Sequence, residues 1–140
     1  MNDEFLVDSN ILVYAFDASE SGKYTTAAAF LENAVKLRTG FLSVQNLSEF
    51  HTAVTTKIEK KLNKEESLAT VRGFAESFGI IKYDEKTIFE AVNLELLYKI
   101  PYWDALIAAT MIENNIKVIY TENEKGFRRI PWLKVINPLK

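Results

Sequence analysis

The sequence contains no cysteine and only one histidine, His51, among its 140 residues. Without cysteine the protein has no disulfide, no zinc–thiolate site and no cysteine nucleophile. A single histidine also argues against a serine–histidine–aspartate site and against a metal site built from several histidines. Any hydrolytic chemistry would therefore have to come from carboxylates.

Long apolar runs and an excess of positive charge are also missing. The longest apolar runs are far shorter than the roughly 20 residues needed to cross a bilayer. The acidic start, Met-Asn-Asp-Glu, lacks the basic and apolar regions of a signal peptide. A net charge of −2 argues against a protein that coats nucleic acid by charge alone, although it allows a nuclease with a local basic rim. We expect a cytoplasmic protein with no membrane association.

A composition of 48% hydrophobic and 26% charged residues is typical of one globular domain, which we expect to cover residues 1–140. Short apolar runs alternate with longer segments of helical periodicity. We predict strands at 5–7, 41–44, 80–83, 116–120 and 135–136, helices from 9 and from 45 and at 25–37, 64–78, 84–99 and 103–114, and loops at 17–23 and from 121. The helix at 84–99 carries Ile88, Val92 and Leu96. This alternation predicts a three-layer α/β/α domain with a mostly parallel central sheet.

Asp8 directly follows the first predicted strand and precedes Ser9 and Asn10. The short apolar run of that strand suits the central strand of a parallel sheet, which is buried on both faces. Ligands of open α/β sheets bind at the carboxyl edge, where Asp8 would lie. Aspartate is also a favoured N-cap residue. Taken alone, Asp8 is better explained by capping, and the case for chemistry depends on further carboxylates in the same position.

Two such carboxylates are Asp104 and Glu49. Asp104 lies in the first turn of the helix predicted from Trp103 and shares its apolar stripe, so it should point inward. A buried charge there needs a cation, hydrogen bonds or the helix N-terminus. Glu49 lies on a polar helix face about a turn and a half beyond the second strand, near the sheet edge of Asp8. Taken alone, Asp104 is explained equally well by capping, and Glu49 is better explained by solvation.

The fourth strand is followed by Thr121-Glu122-Asn123-Glu124, which by itself fits a solvated loop. Together, however, three or four acidic or amide groups follow three strands and open a helix at one sheet edge. Mg²⁺ and Mn²⁺ prefer such oxygen ligands. A cluster of this kind can hold one or two ions, activate water and stabilise an in-line phosphoryl displacement.

These segments resemble the motifs of a known family. Residues 7–17, Val-Asp-Ser-Asn-Ile-Leu-Val-Tyr-Ala-Phe-Asp, resemble the opening of a PIN domain. Residues 42–50, Leu-Ser-Val-Gln-Asn-Leu-Ser-Glu-Phe, and residues 102–109, Tyr-Trp-Asp-Ala-Leu-Ile-Ala-Ala, resemble the second and third acidic motifs of that family. The close at 135–138, Val-Ile-Asn-Pro, is similar to the ending of VapC-like toxins. The motifs span the whole chain in the right order.

The resemblance implies a metal-dependent endoribonuclease that serves as the toxin of a type II toxin–antitoxin pair. By the same resemblance, Asp8, Glu49 and Asp104 would hold Mg²⁺ or Mn²⁺ directly or through water, and Asn10 would support the site. The implied partners are an RNA substrate, a second copy in a homodimer, and a cognate antitoxin bound over the active site.

The chain departs from the family at the fourth motif, where relatives often have Ser/Thr-Glu-Asp and this chain has Thr121-Glu122-Asn123. Asn123 offers a neutral oxygen, and Glu122 or Glu124 could supply the missing charge. The departure implies weaker binding of a second ion. It also keeps open an alternative function, a catalytically impaired PIN-fold module that binds RNA or protein. A Mg²⁺-dependent phosphomonoesterase is disfavoured, because the segment after the first strand lacks the second aspartate of an aspartyl-phosphate motif.

A basic run could guide RNA toward this edge by its potential, and within it Lys57 and Lys61 are the candidate RNA contacts. Lysines at a helix end also complement the helix dipole and keep a surface soluble, which is the more ordinary explanation. Trp103 could stack on a base, although we expect it in the core or in an interface.

Overall fold

The computed structural model describes residues 3–140, and its fold is built around a sheet of parallel strands. The strands are β1 (Phe5–Val7), β2 (Gly40–Ser43), β3 (Gly79–Ile81), β4 (Val118–Tyr120) and β5 (Lys134–Ile136). Their order across the sheet is β3-β2-β1-β4-β5, which places β1 at the centre. The strand order reverses between β1 and β4, and open α/β sheets bind their ligands at such a reversal.

Helices cover both faces of this sheet. They are α1 (Ser9–Tyr14), α2 (Ser21–Leu37), α3 (Val44–Thr56), α4 (Lys64–Ser77), α5 (Glu85–Tyr98), α6 (Tyr102–Glu113) and α7 (Glu124–Phe127). Successive side chains of β1 point to opposite faces. Phe5 and Val7 pack in a cluster with residues of α1 to α4, whereas Leu6 packs with Ile107 of α6 and Phe127 of α7. The predicted three-layer α/β/α architecture is therefore confirmed, with a sheet that is parallel throughout.

The chain turns from strand to helix almost without a loop at the carboxyl ends of β1 and β2. Only Asp8 separates β1 from α1, and it is the N-cap of that helix. Ser43 ends β2 and caps α3 through a capping box with Asn46. These abrupt turns bring the first turns of α1 and α3 to the same edge of the sheet.

The observed elements differ from the predicted ones mainly at their ends. α2 begins at Ser21, inside the predicted loop. β4 begins at Val118, because Asn115 adopts a left-handed φ of 56° and the Ile116 N–H closes onto the end of α6. α7 lies where the sequence predicts a loop, since a single turn is too short to show periodicity. Met1 and Asn2, which belong to the predicted domain, lie outside the described residues.

One helix presents a large apolar surface to solvent. α5 buries Thr87, Ala91 and Leu94. Its other apolar residues are 37–72% exposed and form what we call the α5 apolar surface, namely Ile88, Phe89, Val92, Leu96 and Leu97. Within residues 3–140, none of the helices is long and apolar enough to cross a membrane.

Candidate active site

Asp8 is buried at the carboxyl end of the central strand, with 5% of its surface exposed. Its Oδ1 accepts hydrogen bonds from the Ser9 N–H at 2.8 Å and from Asn46 Nδ2 at 3.4 Å. Its Oδ2 accepts a hydrogen bond from the Thr121 hydroxyl at 2.8 Å. The donors belong to α1, α3 and the end of β4. Asp8 does cap α1, but capping alone requires neither this burial nor the two additional donors.

The charge environment of Asp8 links it to two other carboxylates. Burial raises the pKa of Asp8 from its ordinary value of 3.8 to about 6. The hydrogen bonds from Thr121 and Ser9 oppose this rise, whereas the negative charges of Glu49 and Asp104 add to it. Charges shift a neighbour's pKa appreciably only at short range. The three carboxylates therefore share one electrostatic environment, and a cation among them would relieve their repulsion.

Glu49 lies in the second turn of α3 and is half-buried. Its Oε1 accepts a hydrogen bond from the Ser9 hydroxyl at 2.9 Å, and its Oε2 accepts one from Gln45 Nε2 at 3.1 Å. Gln45 also donates to the carbonyl of Trp103 at 3.0 Å, which connects α3 to α6. Glu49 is therefore held in place, unlike the solvated glutamate that its polar helix face suggests.

Asp104 is half-buried in the first turn of α6. The N-cap of this helix is Pro101, so Asp104 does not cap it. Its Oδ2 accepts a hydrogen bond from Asn123 Nδ2 at 3.0 Å. Burial raises the pKa of Asp104, the bond from Asn123 lowers it, and the charge of Glu49 raises it further. Gly126 of α7 leaves room for this carboxylate, because a Cβ there would lie 3.1 Å from Oδ2.

The segment after β4 closes the site from the opposite side of β1. Thr121 is fully buried, and its hydroxyl oxygen accepts hydrogen bonds from Asn10 Nδ2 at 3.2 Å and from the Asn123 N–H at 3.0 Å. Asn10 Oδ1 in turn accepts a hydrogen bond from the Glu122 N–H at 3.3 Å. Asn10 therefore holds the segment that carries Thr121 and Asn123 beside the carboxylates.

Glu122, one of the two glutamates that could replace the charge missing at Asn123, is engaged on α1 and α2. Its Oε1 accepts a hydrogen bond from the Tyr14 hydroxyl at 2.7 Å, and its Oε2 pairs with Lys23 Nζ at 2.6 Å. Burial alone would raise the pKa of Glu122, but these two partners outweigh it and the pKa is lowered. The carboxylate is therefore stabilised away from the other acids.

Glu124, the second such glutamate, is engaged with the end of the chain. It pairs with Lys140 at 2.7 Å and Arg128 at 2.6 Å, and it accepts a hydrogen bond from Asn137 at 3.1 Å. These three partners lower the pKa of Glu124 to about 2. In this conformation neither glutamate replaces the missing charge.

An open cleft of about 990 Å³ runs along this edge of the sheet. Glu49, Tyr83 and Trp103 are among the residues that line it. Lys57, a predicted RNA contact, lines the cleft, whereas Lys61 is exposed and lies outside the lining. Trp103 is 59% exposed and is therefore not a core residue of this chain.

The sequence does not single out four side chains that complete the site, which are Ser9, Gln45, Asn46 and Thr121. Ser9 and Thr121 lie within a residue or two of a strand end, so the signal that identifies Asp8 could have found them. Gln45 and Asn46 are polar but buried in the first turn of α3, and polar residue types give no sign of burial. Within residues 3–140, Gln45 Oε1 is the buried side-chain oxygen without a hydrogen-bond partner.

The donor chemistry of this edge fits a hard divalent cation, because Asp8, Glu49 and Asp104 offer carboxylate oxygens. Within residues 3–140, no three His, Cys, Asp or Glu side chains form a ready-made metal cage. Mg²⁺ usually keeps several waters and takes only one or two carboxylates directly, so an open arrangement is compatible with it. The charge of Glu49 raises the pKa of both aspartates, which indicates where positive charge would be favourable.

Comparisons with known proteins agree with this fold. A family model described as PIN domain matches residues 5–133. A search of curated proteins found no significant match. Among solved structures, the chain is similar to a structure of VapBC2 from Rickettsia felis, in which VapBC2 is bound to a DNA fragment from the VapBC2 promoter. That match has a TM-score of 0.68 and 28% identity and covers 95% of this chain and 97% of that chain.

Two further solved structures share the fold at lower identity. A toxin–antitoxin complex from Klebsiella pneumoniae matches with a TM-score of 0.67 and 24% identity, covering 96% of this chain and 98% of that chain. VapC20 from Mycobacterium tuberculosis, a toxin that cleaves the sarcin–ricin loop, matches with a TM-score of 0.70 and 13% identity, covering 89% and 94%.

Proposed function

The chain belongs to the PIN domain family, and from this premise we propose that it is a VapC-like toxin. In this proposal it is a Mg²⁺- or Mn²⁺-dependent endoribonuclease of a type II toxin–antitoxin pair. The observation that carries the proposal is the convergence of Asp8, Glu49 and Asp104 at the carboxyl edge of the sheet. They come from three segments of the chain, and their charges disfavour one another. Packing alone does not explain such a cluster, because like charges at short range destabilise a fold.

In the proposed site, Asp8, Glu49 and Asp104 hold the ion directly or through water. The bound ion would supply an activated water and stabilise charge on the phosphoryl oxygens during hydrolysis of an RNA phosphodiester. Thr121 and Ser9 fix the carboxylates of Asp8 and Glu49 by hydrogen bonds. Such supporting partners strongly affect the affinity of a site for its metal.

The proposed partners are an antitoxin and a second copy of the chain. The similarity to VapBC and toxin–antitoxin structures supports the antitoxin. For the homodimer, we propose the α5 apolar surface as the interface. Contiguous exposed apolar patches of this kind are uncommon on monomers and mark sites of association.

Asn123 favours a second candidate function, a PIN-fold module that binds RNA or protein without cleaving it. Its neutral amide donates a hydrogen bond to Asp104 and adds no charge to hold an ion. The nuclease remains the leading proposal, because the other three acidic positions of the motifs are all carboxylates.

The nuclease proposal is tested by incubating purified protein with a folded RNA and Mn²⁺, with EDTA as the metal-free control. We expect cleavage that depends on the metal. Asp8→Asn and Glu49→Gln should each lower the rate about 100-fold or more, because metal ligands contribute several kcal/mol to the transition state. Glu32→Gln is the matched control, since Glu32 is an exposed glutamate of α2, and it should keep the wild-type rate.

Absence of cleavage by folded wild-type protein that binds Mn²⁺, on several RNAs, would contradict the nuclease proposal. If the same protein bound RNA equally well with and without metal, the binding module would replace it. Calorimetric titration of Mn²⁺ into wild type and Asp8→Asn separates loss of the metal from loss of the fold.

A further inference from the structure

An exposed tryptophan stands beside the carboxylate cluster. Trp103 precedes Asp104 in the chain, lines the cleft and is 59% exposed. The other tryptophan, Trp132, packs against a buried apolar cluster. Aromatic side chains contribute most to stability when they are buried. Trp103 therefore gives up stabilisation that the core would provide, at a cleft that Glu49 also lines.

The surroundings of Trp103 restrict its movement. Tyr102 meets the indole edge to face, with ring centroids 5.1 Å apart and planes inclined by 70°. The backbone carbonyl of Trp103 accepts the hydrogen bond from Gln45, which also holds Glu49. Gln45 therefore fixes the backbone from which the indole projects, and it also orients the Glu49 carboxylate. A ring that already packs against Tyr102 loses less entropy when a ligand binds to it.

The cleft offers two more groups that suit a nucleotide. Tyr83, in the segment after β3, is 37% exposed and lines the cleft. Lys57, at the end of α3, brings a cation to the same lining. Proteins bind single-stranded nucleic acids by stacking bases on aromatic faces and by placing cations near the backbone. The same lining also carries the carboxylates of Asp17, Glu20 and Glu49.

Building on the proposed ribonuclease function, we infer that Trp103, together with Tyr83, forms a stacking platform for an unpaired base beside the phosphodiester that is cleaved. Bases stack on aromatic side chains through their π-faces, whatever their sequence. In an RNA duplex these faces are covered by neighbouring base pairs. An unpaired base can therefore stack on Trp103 and Tyr83, whereas a base inside a duplex cannot.

The platform is tested by intrinsic fluorescence in a Trp132→Phe background, so that Trp103 supplies the signal. A short unstructured RNA is titrated in buffer with EDTA, where metal-dependent cleavage does not occur. We expect quenching by this RNA and little by the same sequence in a duplex. In the wild-type background, followed by anisotropy of a labelled RNA, Trp103→Ala should weaken binding roughly 5- to 100-fold, and Trp103→Phe should retain most of the affinity. Tyr24→Ala, which removes an exposed aromatic outside the cleft lining, is the matched control.

The salt dependence of binding separates stacking from charge. Contacts to phosphates make affinity fall with salt, with a slope of about −0.7 per phosphate for a single strand. Lys57→Ala should therefore make the slope shallower by about that amount if Lys57 contacts a phosphate. Trp103→Ala should lower the affinity at every salt concentration and leave the slope unchanged.

Three outcomes would overturn the platform. In the first, Trp103→Ala binds RNA as tightly as wild type does. In the second, duplex and single-stranded RNA quench the fluorescence equally. In the third, Trp103→Ala changes self-association but not RNA binding. The last would assign the indole to a protein interface. Quenching and weaker binding by Trp103→Ala in a protein that cleaves no RNA would support the platform and contradict the nuclease proposal, so the two failures are distinguishable.

Discussion

At the scale of single residues, the ionised carboxylate of Asp8 opposes folding. Its pKa is about 6 in the folded protein, against an ordinary value of 3.8. Between these pH values the folded state holds the proton more tightly than the unfolded state, so stability falls as the pH rises from about 4 to about 6. At about 1.4 kcal/mol for each unit of pKa, the penalty above this range reaches about 3 kcal/mol.

Asp8→Asn should therefore stabilise the metal-free protein at pH 8, by about 1–2 kcal/mol. The gain is smaller than the full penalty because one amide cannot serve all the donors that the carboxylate serves. Urea denaturation at pH 8 and below pH 4 measures the effect, which should vanish at the lower pH. Mn²⁺ should stabilise wild type and leave the variant unchanged. An equal gain in stability at both pH values would show that the charge of Asp8 does not destabilise the fold.

Asn123→Asp should have the opposite effects on stability and on Mn²⁺ binding. It removes the amide that donates to Asp104 and places a second carboxylate there. Without metal we expect a higher pKa for Asp104 and a loss of stability of about 1–2 kcal/mol. With Mn²⁺, calorimetric titration should show tighter binding or an additional ion. Asn33→Asp on the exposed part of α2 is the matched control, and if it changed Mn²⁺ binding equally, general charge would be the cause.

The sequence predicts the site residues unequally. Asp8 is readable locally, because it ends a strand and begins a helix. Glu49 and Asp104 are at helix positions that also suit solvent or a cap. They are indicated only jointly, by their predicted places near one sheet edge and by the resemblance to PIN domains. Gln45 escapes prediction, because its burial depends on α6, whose start lies more than fifty residues away. Periodicity describes one element and carries no information about which other element will cover it.

At the scale of elements, the short helix α7 contributes to the site because Gly126 has no side chain and leaves space for the Asp104 carboxylate. Gly126→Ala would place a Cβ 3.1 Å from Asp104 Oδ2, so the carboxylate has to shift. We expect Mn²⁺ affinity to fall about tenfold, while stability changes by less than about 1 kcal/mol because alanine favours the helix. Gly73→Ala in α4 has no neighbour within 4 Å and should stabilise the fold without changing Mn²⁺ binding. Unchanged affinity in Gly126→Ala would show that the contact is easily relieved.

Elements were predictable where a run of apolar residues or a helical period marks them. β1 is buried throughout, as its apolar run predicts. α6 is buried at every residue of 105–111, so its buried surface is wider than the predicted stripe. α7 has one turn and no period, and α2 begins earlier than predicted because the polar residues at its start tolerate helix as readily as loop. α5 shows the limit of the pattern. Its apolar residues have helical spacing, yet Ile88, Val92 and Leu96 face outward.

At the scale of the whole molecule, the α5 apolar surface should hold two copies together. Leu96→Glu would place a charge on the most exposed residue of that surface, where an interface has no water to solvate it. We expect sedimentation analysis to show a dimer for wild type and a monomer for this variant. Leu68→Glu on α4 is the matched control, because Leu68 is also an exposed leucine on a helix. This variant should remain dimeric. A wild-type monomer at high concentration would remove α5 as the interface.

The hydrogen bond between Asp8 and Thr121 also has a consequence for biosynthesis. These residues lie 113 positions apart, so the first carboxylate leaves the ribosome long before its hydroxyl donor is made. β4 and the segment with Asn123 are likewise translated after the other strands and helices that carry the site. A growing or prematurely ended chain therefore carries the acidic residues without the support that assembles them. If the protein is the toxin we propose, translation produces an inert polypeptide until Thr121 and Asn123 have left the ribosome.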